Sequence, residues 1–459
     1  MRTSLISAVL TSTLVATLAA GALPIAAAEP VTGVTAARTS TAAPAQAQAD
    51  KPKKNKNKTK TPDNYVPRNG PQFNNPYGKE ADVRRLIRQV NRTIDSVPKK
   101  QKIRIASWNV RSASIVTALI RAHQERKISV QVVMDRHNMN PNNPNFDVRR
   151  LKAGLKKGNK KRDKDMRSWV RLCVSSCRGN WGIPHTKFYL FSQVQNVPNV
   201  IMYGSYNATE LGATIQWNDL YTMKRETDRY ITFENIFDQM AKRKTVKQGL
   251  VSYDDGVSQT VWYPFRGKGA KSDPVMDTLN AVACTGAATP GGHTRIRIAQ
   301  TAMYGDRGIA IAHKLAFLKR AGCSIKIAYA MFGNEVLKVL RDANVPLTHL
   351  AYDSNEDGIY DRYLHMKSMA IVGNYAGNPG ARITWNGSAN WTPVALNSDE
   401  VLGRINKPGV TAKYMKWIDY IFAHRPAAWG PDEKNTHATV MGRAAALGVD
   451  PYALIKEEN

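Results

Sequence analysis

Apolar positions along residues 80–134 change period repeatedly. Val83, Ile87, Val90 and Ile94 recur at three- and four-residue steps, which predicts a helix over 80–96. Ile103 and Ile105 alternate with polar neighbours as a strand does. Ile115 to Gln124 returns to helical spacing, and ISVQVVM, ending at Met134, predicts a second strand. The same order comes back later. Residues 273–282 predict a helix, RIRIAQ at 295–300 matches KIRIAS at 102–107, 309–321 predicts a helix, and CSIKIAYA at 323–330 the next strand. The offset is 193 residues both from Ile103 to Ile296 and from Glu80 to Asp273. NIFDQMAKR at 235–243 resembles YIFAHR at 420–425, at an offset of 185. One order at a near-constant offset is the mark of an internal duplication. The chain is therefore expected to be α/β, with repeats over 79–255 and 256–425, each a βαβ layer on a parallel or mixed sheet.

Outside the repeats the pattern is lost. Met1-Arg2, an uncharged and mostly apolar run from Leu5 to Leu23, and Ala26-Ala27-Ala28 before Glu29 predict a secretory signal peptide over 1–28. Thr, Ser and Gly interrupt the run and no basic stop-transfer flank follows, which argues against an anchor. Residues 29–78 hold few large apolar side chains and include KPKKNKNKTK at 51–60. Such a segment cannot offset its ordering entropy, so a disordered basic linker is expected. Residues 426–459 form a C-terminal tail. A secreted, soluble monomer is the expectation.

Lys and Arg number 66 against 36 Asp and Glu, a formal charge of +30. That favours a polyanionic partner, nucleic acid or an anionic lipid surface, without choosing between them. The run KAGLKKGNKKRDKDMR at 152–167 is either a solvated surface segment or a polyanion patch facing the substrate. The aromatic and basic residues of VWYPFRGK, 261–268, suit stacked bases, a lipid interface or a core strand. Four cysteines are too few for a disulfide scaffold. In an exported chain four cysteines allow three pairings, and the local one, Cys173–Cys177 with Cys284–Cys323, is expected because each half should fold on its own contacts.

Each repeat carries one His-x-Lys: His185 with Lys187, and His365 with Lys367. Alternation along a strand puts the members of each pair on one face. Each is followed by Gly-Ser-x-Asn, with Ser205 and Asn207 in the first repeat and Ser388 and Asn390 in the second. A fold that joins the two copies would surround one pocket with two imidazoles, two ammoniums and two amides. One neutral imidazole can attack phosphorus, and the other, protonated, can give a proton to the leaving oxygen. The lysines, Ser205, Ser388 and the two asparagines can hold the non-bridging oxygens, so no metal is needed.

These paired motifs in a duplicated chain resemble the phospholipase D superfamily, over roughly 79–425. The resemblance implies two α/β/α sandwich halves packed about a pseudo-twofold axis, with the site at their interface. It implies a phosphohistidine intermediate with His185 as nucleophile and His365 as general acid, and transfer to water or an alcohol. The chain departs from the family where Ser192 and Val372 stand in place of the motif aspartates. The secreted phospholipases of the family have a carboxylate after Gly-Ser-x-Asn that orients a histidine. Asp219 and Glu400 sit at matching places, 34 and 35 residues past His185 and His365, with Asp399 as the alternative to Glu400. The expected substrate is a phospholipid at a membrane surface. Its rivals are a metal-independent nuclease and an inactive polyanion-binding protein. Asp353, Asn355, Asp357 and Asp361 alternate like the start of a calcium loop, but Leu364 stands where an EF-hand needs glutamate. This leaves a non-EF calcium loop or a plain acidic turn.

Overall fold

A computed structural model describes residues 63–141, 144–265, 273–354 and 360–429. The expected signal peptide lies outside the described residues, as do most of the linker and of the C-terminal tail.

The first sheet contains β1 (Gly70–Phe73), β2 (Lys102–Ala106), β3 (Ser129–Asp135), β4 (Trp169–Cys173), β5 (Phe188–Val194), β6 (Val197–Gly204) and β7 (Asp219–Met223). Their order across the sheet is β1-β7-β6-β5-β2-β3-β4. The second sheet contains β8 (Val251–Asp254), β9 (Ser258–Trp262), β10 (Arg295–Met303), β11 (Ser324–Phe332), β12 (Leu347–His349), β13 (Lys367–Tyr375), β14 (Asn378–Gly387) and β15 (Val401–Ile405). Its order is β8-β9-β15-β14-β13-β10-β11-β12.

Six strands of each sheet correspond one to one, β7-β6-β5-β2-β3-β4 with β15-β14-β13-β10-β11-β12. Directions correspond too. β2, β3 and β4 run parallel, as do β10, β11 and β12. The remaining neighbours are antiparallel in both halves. The repeat read from KIRIAS and RIRIAQ is thus a repeat of whole sheets.

Alternation gives each strand two apolar faces. In the first half, Ile103, Ile105, Val130 and Val132 pack under the helices α1 (Arg85–Asp95), α2 (Ala113–Arg126) and α3 (Phe146–Lys156). Phe188, Leu190, Ile201 and Tyr203 face the helix α4 (Thr227–Lys242) together with Trp262, Val401 and Ile405 of the second half. In the second half, α5 (Pro274–Asn280), α6 (Gly305–Arg320) and α7 (Asn334–Asp342) cover one face. The helix α8 (Pro408–Ala423) covers the other through Tyr414, Ile418 and Ile421. Both halves are α/β/α sandwiches, as expected, and α4 and α8 contain the matching segments NIFDQMAK and YIFA.

Three expectations change. Order begins before residue 79. Gly70–Phe73 pairs antiparallel with β7, and Phe73 stacks on Trp417 at 5.1 Å. A four-residue edge strand needs mainly backbone bonds, which composition does not register. Val251–Asp254, placed in the first repeat from sequence, pairs with β9 in the second sheet. The basic run 152–167 does not face the candidate site. Arg162 donates to the Ile128 carbonyl at 2.8 Å and Ser129 to that of Arg167 at 3.4 Å, so the run lies where β3 begins. The site lies where β3 ends.

Both expected disulfides are present, Cys173–Cys177 and Cys284–Cys323, four and 39 residues apart in sequence. Chain-entropy arguments assign the longer loop about 4 kcal/mol and the shorter about 2. Opening Cys284–Cys323 by a double Ser substitution should therefore lower the melting temperature more than opening Cys173–Cys177. Equal losses in calorimetry would contradict the loop-length argument.

Candidate active site

His185 and Lys187 lie in extended chain just before β5, and His365 and Lys367 at the start of β13. Each lysine ammonium turns back onto the carbonyl of its own histidine, at 2.5 Å for Lys187 and 2.8 Å for Lys367. All four are almost fully buried. The Gly-Ser-x-Asn segments end the adjoining strands β6 and β14. Their glycines are required by close approach, since a Cβ on Gly204 would stand 2.5 Å from the Asp219 carbonyl oxygen, and one on Gly387 2.0 Å from that of Val401. This crossing brings each serine onto the residues that begin β7 and β15.

The two imidazoles have unlike partners, each from the opposite half. His185 Nδ1 lies 2.7 Å from Glu400 Oε1, and Ser388 Oγ donates to the other carboxylate oxygen. Burial alone would raise the Glu400 carboxyl. His185, Lys187 and the Ser388 hydroxyl together hold it below its usual range. Being ionised, Glu400 only accepts, so His185 donates through Nδ1, and Nε2 is the ring nitrogen turned away from the carboxylate. His365 Nδ1 lies 2.7 Å from Asn218 Oδ1. Asn218 Nδ2 donates to Gly212 O and to Gln216 Oε1, both at 3.0 Å, which turns the amide oxygen toward His365.

Asp219 is therefore not the residue that orients a histidine. Its carboxylate accepts from Tyr414 at 2.6 Å and from Asn386 at 3.0 Å, and Ser205 N–H donates to it at 3.3 Å. Burial raises its pKa against those three donors. Ser205 Oγ donates to Asn218 Oδ1 at 2.8 Å, as Ser388 does to Glu400. A path of hydrogen bonds thus runs from His185 through Glu400 to Ser388, and from Asn386 through Asp219, Ser205 and Asn218 to His365. Only the Gly387 backbone interrupts it.

Asn207 and Asn390 are buried beside these groups. Asn207 Oδ1 accepts from Ser107 at 3.2 Å, while its Nδ2 and Asn390 Oδ1 have no protein partner. Buried amides left so can serve a ligand's polar atoms. The Asn390 backbone is held by Arg307, which donates to the Asn390 carbonyl at 2.9 Å and pairs with Asp273. Trp108 sits edge-on to His185, ring centroids 5.8 Å apart, with Lys187 Nζ 6.0 Å from its centroid. Sequence reasoning missed Asn218, Asn386, Tyr414, Arg307 and Trp108.

The remaining expectations fall elsewhere. Ser192 accepts from Lys102 N–H at 2.9 Å and donates to Gln101 at 2.8 Å, at the end of β5 remote from the histidines. Val372 pairs with Arg295 at the corresponding end of β13. The positions of the missing motif aspartates thus lie away from the histidines. Trp262 and Tyr263 are core residues, and residues 266–268 of that run lie outside the described residues. Asn355 and Asp357 of the calcium-loop candidate also lie outside them. Asp361 accepts from Ser354 N–H at 2.9 Å and Oγ at 2.6 Å, and Asp353 is buried. Among the described residues no three His, Cys, Asp or Glu side chains are grouped to hold a metal ion.

Asp399 precedes Glu400 and accepts from the Cys177 N–H at 2.5 Å. Burial pushes its pKa up to about 7, against the opposing pull of Arg178 and nearby N–H donors. A carboxyl raised above its unfolded value of 3.8 favours the folded state fully below that value, and the contribution is lost as pH rises through about 7. Asp399→Asn should therefore flatten the fall in melting temperature between about pH 4 and 7. Parallel curves for the two proteins would refute the assignment.

Comparison with known proteins bears on the fold. Residues 92–241 match the family model described as "Cardiolipin synthase, PLD-like domain". Phosphatidylserine synthase of Haemophilus influenzae Rd KW20 superposes with a TM-score of 0.53 and 14% identity, over 84% of this chain and 95% of that one. Polyphosphate kinase from Porphyromonas gingivalis gives a TM-score of 0.49 and 13% identity over 82% of this chain, which spans 55% of the kinase. Nuc from Salmonella typhimurium, a phospholipase D family member, is 20% identical over 38% of this chain and 94% of its own, with a TM-score of 0.28. No curated protein matches the chain. Residues 92–241 thus carry a phospholipase D-like domain, and the fold over 84% of the chain resembles that of the phosphatidylserine synthase.

Proposed function

We propose that the protein is a secreted phosphodiesterase that cleaves the head-group ester of phospholipids through a phosphohistidine. The observation that carries this reading is the unlike pairing of two buried histidines, one with a carboxylate and one with an amide. Glu400 stabilises positive charge on His185, which suits the nucleophile that becomes a phosphoimidazolium. Asn218 stabilises charge on His365 less, which suits the group that must give up its proton.

In the first step Nε2 of His185 bonds to phosphorus, the bond to the head-group oxygen breaks, and His365 protonates that oxygen. In the second, His365 takes a proton from water, the resulting oxygen attacks phosphorus, and the P–N bond breaks. An alcohol in place of water would give transfer. Lys187, Lys367, Asn207 and Asn390 hold the non-bridging oxygens as charge shifts between them. Two lysines supply the countercharge, so turnover in excess EDTA is part of the proposal, with calcium at the Asp353–Asp361 segment the exception to be tested. Two disulfides support an oxidising location. No helix of the described residues is long and apolar enough to cross a membrane.

The +30 charge favours a second reading, a nuclease of the same chemistry. The test is head-group release from phosphatidylcholine and phosphatidylglycerol vesicles beside degradation of plasmid DNA, each with EDTA and with His185→Ala as control. Head-group release that depends on His185 supports the lipid reading. DNA degradation that depends on His185, without release, replaces it with the nuclease.

A further inference from the structure

Large apolar side chains are exposed at few places among the described residues, and the three most exposed lie at one end of the first sheet. They are Trp181 (73%), Phe146 (70%) and Val174 (70%). Val174 directly follows Cys173, where β4 ends beside Asp135 of β3. Phe146 begins α3, whose capping residue Asn145 donates to Asn138 Oδ1 at 3.0 Å, just past the end of β3. Trp181 stands four residues before His185. All three therefore stand at the end of the sheet that carries the nucleophile.

Their support is rigid. The Cys173–Cys177 bridge closes the loop that bears Val174. Ser176 N–H donates to the Trp181 carbonyl at 3.3 Å and to the Gly182 carbonyl at 3.1 Å. Gly182, at φ 71°, lies against the second half, where a Cβ would meet the Asn397 carbonyl at 2.5 Å. Asn397 is three residues from Glu400, so the Trp181 loop is fastened at the seam that holds the site.

Single exposed apolar residues are ordinary, but the three most exposed ones standing at the same end of one sheet, beside the site, point to an interaction surface. We propose that Trp181, Val174 and Phe146 insert into the surface of a phospholipid bilayer and present the His185 end of the molecule to the head groups. This rests on the phospholipid reading above. Trp and Phe settle at the boundary between head groups and acyl chains. Arg149 lies over the Phe146 ring, 5.8 Å from its centroid, and exposed Arg136 follows Asp135, the strand partner of the Cys173 that precedes Val174, so cations stand at the same end as the apolar tips, where anionic head groups would be. A single-stranded nucleic acid would use the two rings for stacking. It would have no use for the branched aliphatic Val174, and the basic run 152–167 lies at the opposite end of the sheet.

The test compares the full chain with a Phe146→Ser, Val174→Ser, Trp181→Ala variant, whose changes are all at exposed positions. Co-sedimentation with phosphatidylglycerol–phosphatidylcholine vesicles reads binding. Turnover is read on the same vesicles and on bis(p-nitrophenyl) phosphate, a soluble diester. The expected result is vesicle binding and vesicle turnover each weakened about tenfold or more, with soluble-diester turnover and the melting temperature unchanged. Trp181 fluorescence in the parent protein should be quenched by brominated lipid. Unchanged vesicle binding, or lost DNA binding with vesicle binding intact, overturns the anchor. If the parent protein releases no head group, the phospholipid reading fails, while the sedimentation result still decides whether these residues hold a bilayer.

Discussion

His185→Ala and His365→Ala should each lower turnover of a natural diester by about 10³-fold or more, because attack and proton donation are divided between them. A good leaving group separates the two roles. With a p-nitrophenyl ester the departing oxygen needs no proton, so His365→Ala should still release a burst of nitrophenol and then stall as a covalent phosphoenzyme. His185→Ala should show neither burst nor adduct. The phosphoenzyme can be isolated by acid-free quench and mass spectrometry. A burst from His185→Ala and none from His365→Ala would reverse the assignment of nucleophile and acid. Lysine variants should fall close behind the histidine variants, and combined losses should not add.

Glu400→Gln is expected to cost about 10²- to 10³-fold with little change in shape. The buried carboxylate bonds to His185 at 2.7 Å and carries the charge that a phosphoimidazolium needs beside it. A neutral glutamine keeps the volume and loses the charge. Asn218→Ala should cost less, since the amide orients His365 without charging it. The same carboxylate also contributes to stability. Its folded pKa lies below the ordinary 4.5, so its contribution is present above the unfolded value and is lost as pH falls through the folded one. The parent protein should lose melting temperature steeply at acid pH, and Glu400→Gln should lose less there. A variant with parent-like kcat would remove Glu400 from the mechanism.

Asn218 stands one residue before the carboxylate that the sequence favours. A search for a carboxylate selects Asp219, which lies 34 residues after His185 much as Glu400 lies 35 after His365. Counted instead from the serines, Glu400 is 12 residues past Ser388, Asn218 13 past Ser205 and Asp219 14. That count favours Asn218. Neighbours on an extended chain face opposite sides, so one residue of misalignment exchanges a partner of His365 for a partner of Tyr414 and Asn386.

The basic run shows a different limit. Its charge is plain in the sequence, but the end of the sheet it occupies depends on where the chain turns back to begin β4. The edge strand Gly70–Phe73 shows a third limit, since a short strand held by backbone bonds to β7 leaves little trace in apolar periodicity.

By itself the sequence determined the central helices and strands of each half and their duplication, because period is a local property that each segment expresses alone. It also determined the two His-x-Lys and Gly-Ser-x-Asn motifs, and both disulfide pairs, each confined to one half. Only the tertiary structure decided that His185 takes its carboxylate from the second half while His365 takes an amide from the first. Those partners are 215 and 147 residues apart. Which residue faces which histidine is set by the register of strands that meet across the seam, and no local pattern encodes a contact made by packing two sheets together.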